Sequence, residues 1–146
     1  MAFADLPNGR LSYETTGNGP PLTLLLPQSR GPTGLAGLTR KLAAHHTIVT
    51  YDQRGTGSSS PAPGGMSIDQ QARDVVALLD AIGLEQTALL CHSTGCGIGI
   101  SLAAHQPERI GTLLLVSPWT HADPHLTTMQ NLRIAAAQAL APAQYA

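Results

Sequence analysis

The sequence predicts an α/β protein, a mostly parallel sheet with helices on both faces. Three observations carry this. Short apolar runs recur at Leu22–Leu26, Thr47–Tyr51, Thr87–Cys91 and Thr112–Val116, a length that suits strands buried on both faces. Segments with apolar residues at helical spacing lie between them. Stretches rich in glycine and proline separate the two kinds of segment. The 146 residues are enough for one domain with its own core.

The elements follow in order. Leu11, Tyr13 and Thr15 alternate with polar residues, which predicts a half-exposed strand near the N-terminus. Gly17 to Pro21 is a turn. Leu22–Leu26, ended by Pro27, is a central buried strand. A Gly/Pro-rich loop from Gln28 leads to a helix from about Gly34 to Ala44, with Leu35, Leu38 and Leu42 on one face. Thr47–Tyr51 is the next strand, followed by a charged turn from Asp52 to Ser59. Ser67 and Gln70 form a capping box. They open a helix whose face is Ala72, Val75, Leu78, Leu79 and Ile82, with Gly83 as its C-cap. Thr87–Cys91 is a buried strand. Ile98–His105 reads as a helix stopped at Pro107. Thr112–Val116 is one more buried strand, Trp119 to Pro124 a loop, and Thr127 to Ala141 an Ala-rich helix.

Between the Thr87–Cys91 strand and the following helix stands a polar knot, His92-Ser93-Thr94-Gly95. A strand that turns directly into a helix holds the serine between them in a strained, exposed position. The helix N-terminus beside it favours developing negative charge. Both properties suit an acyl-transfer nucleophile. Two glycine-rich alternatives fail on residues. A dinucleotide fingerprint needs a third glycine where Ile100 stands, and no acidic residue ends a following strand. A phosphate-binding P-loop needs a lysine that is missing.

Cys91-His92-Ser93-Thr94-Gly95 resembles the G-x-S-x-G nucleophile elbow of the α/β-hydrolase family, with Cys91 at the first glycine position. Asp52-Gln53-Arg54-Gly55-Thr56-Gly57-Ser58-Ser59 is similar to that family's D-x-R-G-x-G-x-S turn. The likeness runs from about Arg10 to Trp119. It is nearest to the small-molecule lactone, enamine and carbon–carbon bond hydrolases.

The resemblance implies Ser93 as the catalytic nucleophile, with the backbone N–H of Thr94 forming half of the oxyanion hole. It places the other half in the loop after Leu22–Leu26. There Pro27-Gln28 stand where the family has His-Gly, which makes Ser29 the second donor. The Asp52–Ser59 turn braces loops and does no chemistry. The family's acid and base follow two further strands. The expectation is therefore an N-terminal core over residues 1–120 and the start of a helical cap over 121–146, in a truncated chain that lacks the triad acid and histidine.

Each of the six histidines is weighed as a candidate base. His92 adjoins Ser93 at a sharp turn, where neighbouring side chains point apart. His45 and His46 precede a strand, at the wrong end of the sheet. His105 closes the helix after the elbow. His121 and His125 follow the last strand on the site's side, and Asp123 lies between them as a candidate acid.

Composition sets the outer bounds. The chain is 42% hydrophobic and 12% charged with net charge −1. Its eight Lys and Arg do not cluster, so a nucleic-acid partner is not expected. No membrane-spanning run and no secretory leader are read, which leaves the cytoplasm as the expected location. Cys91 and Cys96 read as buried thiols rather than a disulfide or a metal site. No metal and no organic cofactor are implied. The expected partner is a small-molecule substrate, with self-association through the apolar last strand as an open edge. The rival reading is an inactive relic or interaction module that keeps the pocket without the triad.

Overall fold

The structure is a computed structural model that describes residues 1–27, 36–62 and 64–144. Six strands form one sheet: β1 (Ala2–Leu6), β2 (Gly9–Thr16), β3 (Pro21–Leu25), β4 (Thr47–Tyr51), β5 (Thr87–His92) and β6 (Ile110–Val116). Their spatial order is β1-β2-β4-β3-β5-β6. β1 and β2 form a hairpin, and β2 pairs antiparallel with β4. From β4 to β6 every pairing is parallel. Four α-helices accompany it: α1 (Ala36–Leu42), α2 (Ile68–Ala81), α3 (Thr94–His105) and α4 (Pro124–Gln144).

The sheet is covered on both faces. Alternate residues of the parallel strands feed two clusters, as the two-residue period of a strand requires. On one face Leu25, Val49, Leu89 and Cys91 pack with Ala72, Val75, Leu78 and Leu79 of α2 and with Cys96, Ile98 and Leu102 of α3. On the other, Leu22, Leu24 and Ile48 pack with Leu42 of α1. The predicted α/β class and the sheet with helices on both faces hold.

Four elements differ from the sequence reading. β1 is additional; it exists because the Pro7-Asn8-Gly9 turn, with Gly9 at φ +119°, folds it back onto β2. α3 begins at Thr94, four residues before Ile98, because its glycines are needed for packing and sit inside the helix. α4 is longer than expected at both ends. β6 is an open edge strand rather than a buried one: Leu114 is 48% exposed, Leu115 37% and Val116 46%. The α2 capping box forms as read, with the Ser67 hydroxyl accepting from the Gln70 N–H at 3.1 Å. No helix among the described residues is long and apolar enough to cross a membrane.

Candidate active site

Ser93 is the single residue between β5 and α3. Its φ of 54° and ψ of −117° lie in a region that non-glycine residues rarely adopt. Such a conformation costs about 1–3 kcal/mol and persists only where the surroundings over-determine it. Here both backbone groups are tied: the N–H donates to the Val116 carbonyl at 3.1 Å, and the carbonyl accepts from the Cys96 N–H at 2.9 Å. The Ser93 side chain does not cap the helix it precedes. The Thr94 N–H at the head of α3 therefore has no partner within the helix and none from the Ser93 side chain.

Close packing enforces this geometry. A Cβ on Gly95 would fall well under 3.0 Å from the Leu25 carbonyl oxygen, so the start of α3 lies against the end of β3. A Cβ on Gly99 would meet the Cys91 sulfur at 2.5 Å and a Leu113 methyl carbon at 3.0 Å. Cys91 thus stands where a small residue is required, and glycine on the facing helix makes room for its sulfur. Burial pushes the Cys91 thiol up to about 12, with Cys96 adding to the effect. Cys96 points at β6, its thiol donating to the Val116 carbonyl at 3.3 Å.

The turn after β4 supports the same end of the sheet. The Gln53 side-chain amide donates to the Leu26 carbonyl at 2.9 Å, which fixes the chain as it leaves β3. Arg54 is buried and reaches Asp74 of α2 through two bonds, Nε–Oδ2 at 2.9 Å and a second at 3.0 Å; it also bonds the Asn8 carbonyl. The Asp74 hydrogen bond raises the Arg54 pKa. Asp52 accepts from the Ser58 N–H at 2.9 Å and Ser59 returns a bond to the Asp52 carbonyl at 2.6 Å. These side-chain hydrogen bonds of the turn serve structure. Tyr51 Oη, Gln53 Oε1 and Thr94 Oγ1 are buried without a hydrogen-bond partner among the described residues.

The other candidate residues are scattered. Ser29 lies outside the described residues. His92 ends β5 and is half-buried. His46 contacts the Pro20 carbonyl, and His45 also sits at the opposite end of β4 from the elbow. His105 is bound to the Ser101 carbonyl at the last turn of α3. Asp123 caps α4, accepting from the Leu126 N–H at 2.7 Å, which gives it a structural task. His121 and His125 beside it are exposed. No group of three or more His, Cys, Asp or Glu that could hold a metal occurs among the described residues. Two residues have features that the sequence reading does not single out, the Gln53 clasp on Leu26 and the backbone of Ser117. Ser117 shares the φ of Ser93, at 54°.

This sheet, with a strained serine between a central strand and a helix, is the architecture of the α/β hydrolases. The model of the alpha/beta hydrolase fold matches residues 29–140, and the chain belongs to that family. Among curated proteins it is 38% identical over 137 residues to the protein named "Putative carbamate hydrolase RutD" of Azorhizobium caulinodans, covering 91% of this chain and 50% of that one. The protein of the same name from Caulobacter segnis is 39% identical over 97 residues, 65% of this chain and 36% of that one. Among solved structures, a hydrolase from Pseudomonas aeruginosa PA01 superposes with TM-score 0.81 at 30% identity, covering 94% of this chain and 52% of that one. The enol-lactonase from Burkholderia xenovorans LB400 gives TM-score 0.73 at 27% identity, with 77% and 45% covered. The chain spans about half the length of these relatives, or less.

Proposed function

We propose that Ser93 is the nucleophile of a small-molecule hydrolase that cleaves ester, lactone, amide, carbamate or activated carbon–carbon bonds. The observation that carries this is the left-handed φ of Ser93 at the head of α3. Its hydroxyl would attack the substrate carbonyl carbon, and the charge developing on the carbonyl oxygen would be taken by the Thr94 N–H and a donor after β3, Ser29 by position. The leaving group departs, and water then releases the acyl group from Ser93. Carbamates and lactones enter because the relatives' names include a carbamate hydrolase and an enol-lactonase.

A serine needs a base, and the base an orienting acid. No hydrogen bond joins Ser93 to a histidine among the described residues, and Asp123 is engaged as a helix cap. We place the acid and base outside these 146 residues, read residues 1–120 as core and 121–146 as the beginning of a cap, and assign the protein to the cytoplasm, where two free buried thiols are at home. The second reading is a binding module that keeps the pocket without the triad. Steady-state hydrolysis of p-nitrophenyl acetate by wild type and Ser93→Ala separates them. The hydrolase reading expects slow, Ser93-dependent turnover; equal rates favour the binding module.

A further inference from the structure

Helices α2 and α3 pack side by side on one face of the sheet, and a cavity of about 230 Å³ opens between them. None of the residues that line it belongs to the turn at Ser93. The contacts fix how the two helices meet. Gly97 faces Ile68, and one turn on the Ser101 hydroxyl donates to Asp69 Oδ1 at 2.6 Å. A further turn along, Arg73 lines the cavity from α2 and His105 from α3. The floor is apolar: Ala72 and Leu102 are buried there, with Val76 beside them.

Three polar groups are left over from the bonds that join the helices. Asp69 gives one oxygen to Ser101, and its other oxygen makes no hydrogen bond among the described residues. Arg73 lies four residues on from Asp69, the spacing at which opposite charges on a helix pair. Here no ion pair joins them. Asp69 turns to Ser101 instead, and Arg73 donates to Gln70 Oε1 at 2.9 Å. His105 Nδ1 lies 2.8 Å from the Ser101 carbonyl oxygen. A carbonyl only accepts, so that nitrogen carries the hydrogen, and the neutral ring keeps Nε2 as a bare acceptor.

The cavity thus holds two acceptors, Asp69 Oδ2 and His105 Nε2, with a guanidinium on Arg73 and an apolar floor. A simple cation is repelled by Arg73 and a simple anion by Asp69. A molecule that carries both charges satisfies both. Residues at this spacing stand about 5–6 Å apart at Cβ, so the two charges of the ligand must be separated by a short apolar chain.

We propose that this cleft is a binding site for a small amino acid. Asp69 and His105 hold its ammonium group, Arg73 its carboxylate, and Ala72, Val76 and Leu102 its methylene chain. The proposal is independent of the reading of Ser93 as nucleophile.

Equilibrium dialysis of the 146-residue protein against radiolabelled 4-aminobutanoate tests it. Saturable, millimolar binding is expected. Asp69→Asn, which keeps an oxygen for Ser101, and Arg73→Gln should each weaken it about 3- to 10-fold, the size of one hydrogen bond to a charged group partly open to water. Butanoate and butylammonium, each lacking one charge, should displace the label less well than unlabelled 4-aminobutanoate by about the same factor. Ser93→Ala should bind as wild type does. Absence of saturable binding, equal displacement by either singly charged compound, or variants at Asp69 and Arg73 that bind as wild type does would overturn the proposal. So would loss of binding in Ser93→Ala, which would move the ligand to the turn at Ser93.

Discussion

Gly95 lies against the carbonyl oxygen of Leu25 so closely that a methyl group on it would fall well under 3.0 Å from that oxygen and 3.2 Å from the Leu25 Cβ. This contact joins the strained turn at Ser93 to the strand that leads into the proposed oxyanion loop. The obstacle is backbone in a central strand and cannot swing aside. Gly95→Ala should therefore destabilise the chain by about 3 kcal/mol or more, at the upper end of overpacking costs. Urea unfolding followed by circular dichroism measures it.

Cys91 and Gly99 form a second such pair, and here the blocking atom is a side-chain sulfur. Gly99→Ala alone should destabilise by roughly 1–3 kcal/mol. Cys91→Ala alone should destabilise through a small cavity. The double variant should be more stable than the sum of the two predicts, with a coupling of about 0.5–3 kcal/mol in a double-mutant cycle. Simple additivity would mean that the two residues do not share this space.

Arg54 and Asp74 are buried, at 5% and 7% side-chain exposure, and joined by two hydrogen bonds. Removing one partner leaves the other charge buried and uncompensated. Arg54→Met should cost about 3–5 kcal/mol. Arg54→Lys should recover little of it, because an ammonium cannot reproduce the two-pronged geometry. Thermal unfolding of the two variants beside wild type checks both statements.

The fold class was legible because apolar runs and helical spacing reflect burial directly. The turn from β5 into α3 was legible because His92-Ser93-Thr94-Gly95 interrupts an apolar run. Other features were hidden for physical reasons. β6 reads as a buried strand, since Thr112-Leu113-Leu114-Leu115-Val116 is as apolar as β3, and only the sheet order reveals its open side. Periodicity finds α3 only from Ile98, because Gly95, Gly97 and Gly99 weaken helix propensity; the close packing that requires Gly95 and Gly99 is tertiary. Ser117 left no local trace, because backbone strain is set by neighbouring strands. Nor could residue identity show that Gln53 clasps Leu26 from 27 positions away.

Alkaline pH should destabilise the chain through Cys91. Burial raises its folded pKa from near 9 to about 12. The protonated thiol is thus favoured by folding. That contribution is complete below the unfolded thiol's pKa of about 8.5 and is lost as pH rises towards 12, by up to about 1.4 kcal/mol per pH unit. Tyr51, also raised by burial, adds to the loss above about pH 10. Urea midpoints at pH 8, 9 and 10 should fall for wild type and stay nearly level for Cys91→Ala.

The open edge of β6 exposes Leu114, Leu115 and Val116 in a row, with Trp119 37% exposed beyond them. Unpaired strand edges of this kind recruit another chain. A protein of these 146 residues alone should run as a dimer or larger species in light scattering at micromolar concentration. A clean monomer would contradict self-association through this edge.

The central claim is that the strained serine at the head of α3 is the reactive group. Incubation with an alkyl fluorophosphonate, followed by peptide mass spectrometry, tests it most directly. The reagent mimics the tetrahedral intermediate, and without a base in reach it reacts only slowly with a hydroxyl beside an oxyanion site. The account predicts slow labelling confined to Ser93, absent in Ser93→Ala and absent after unfolding. Labelling spread over other hydroxyls, or unchanged in Ser93→Ala, would contradict it.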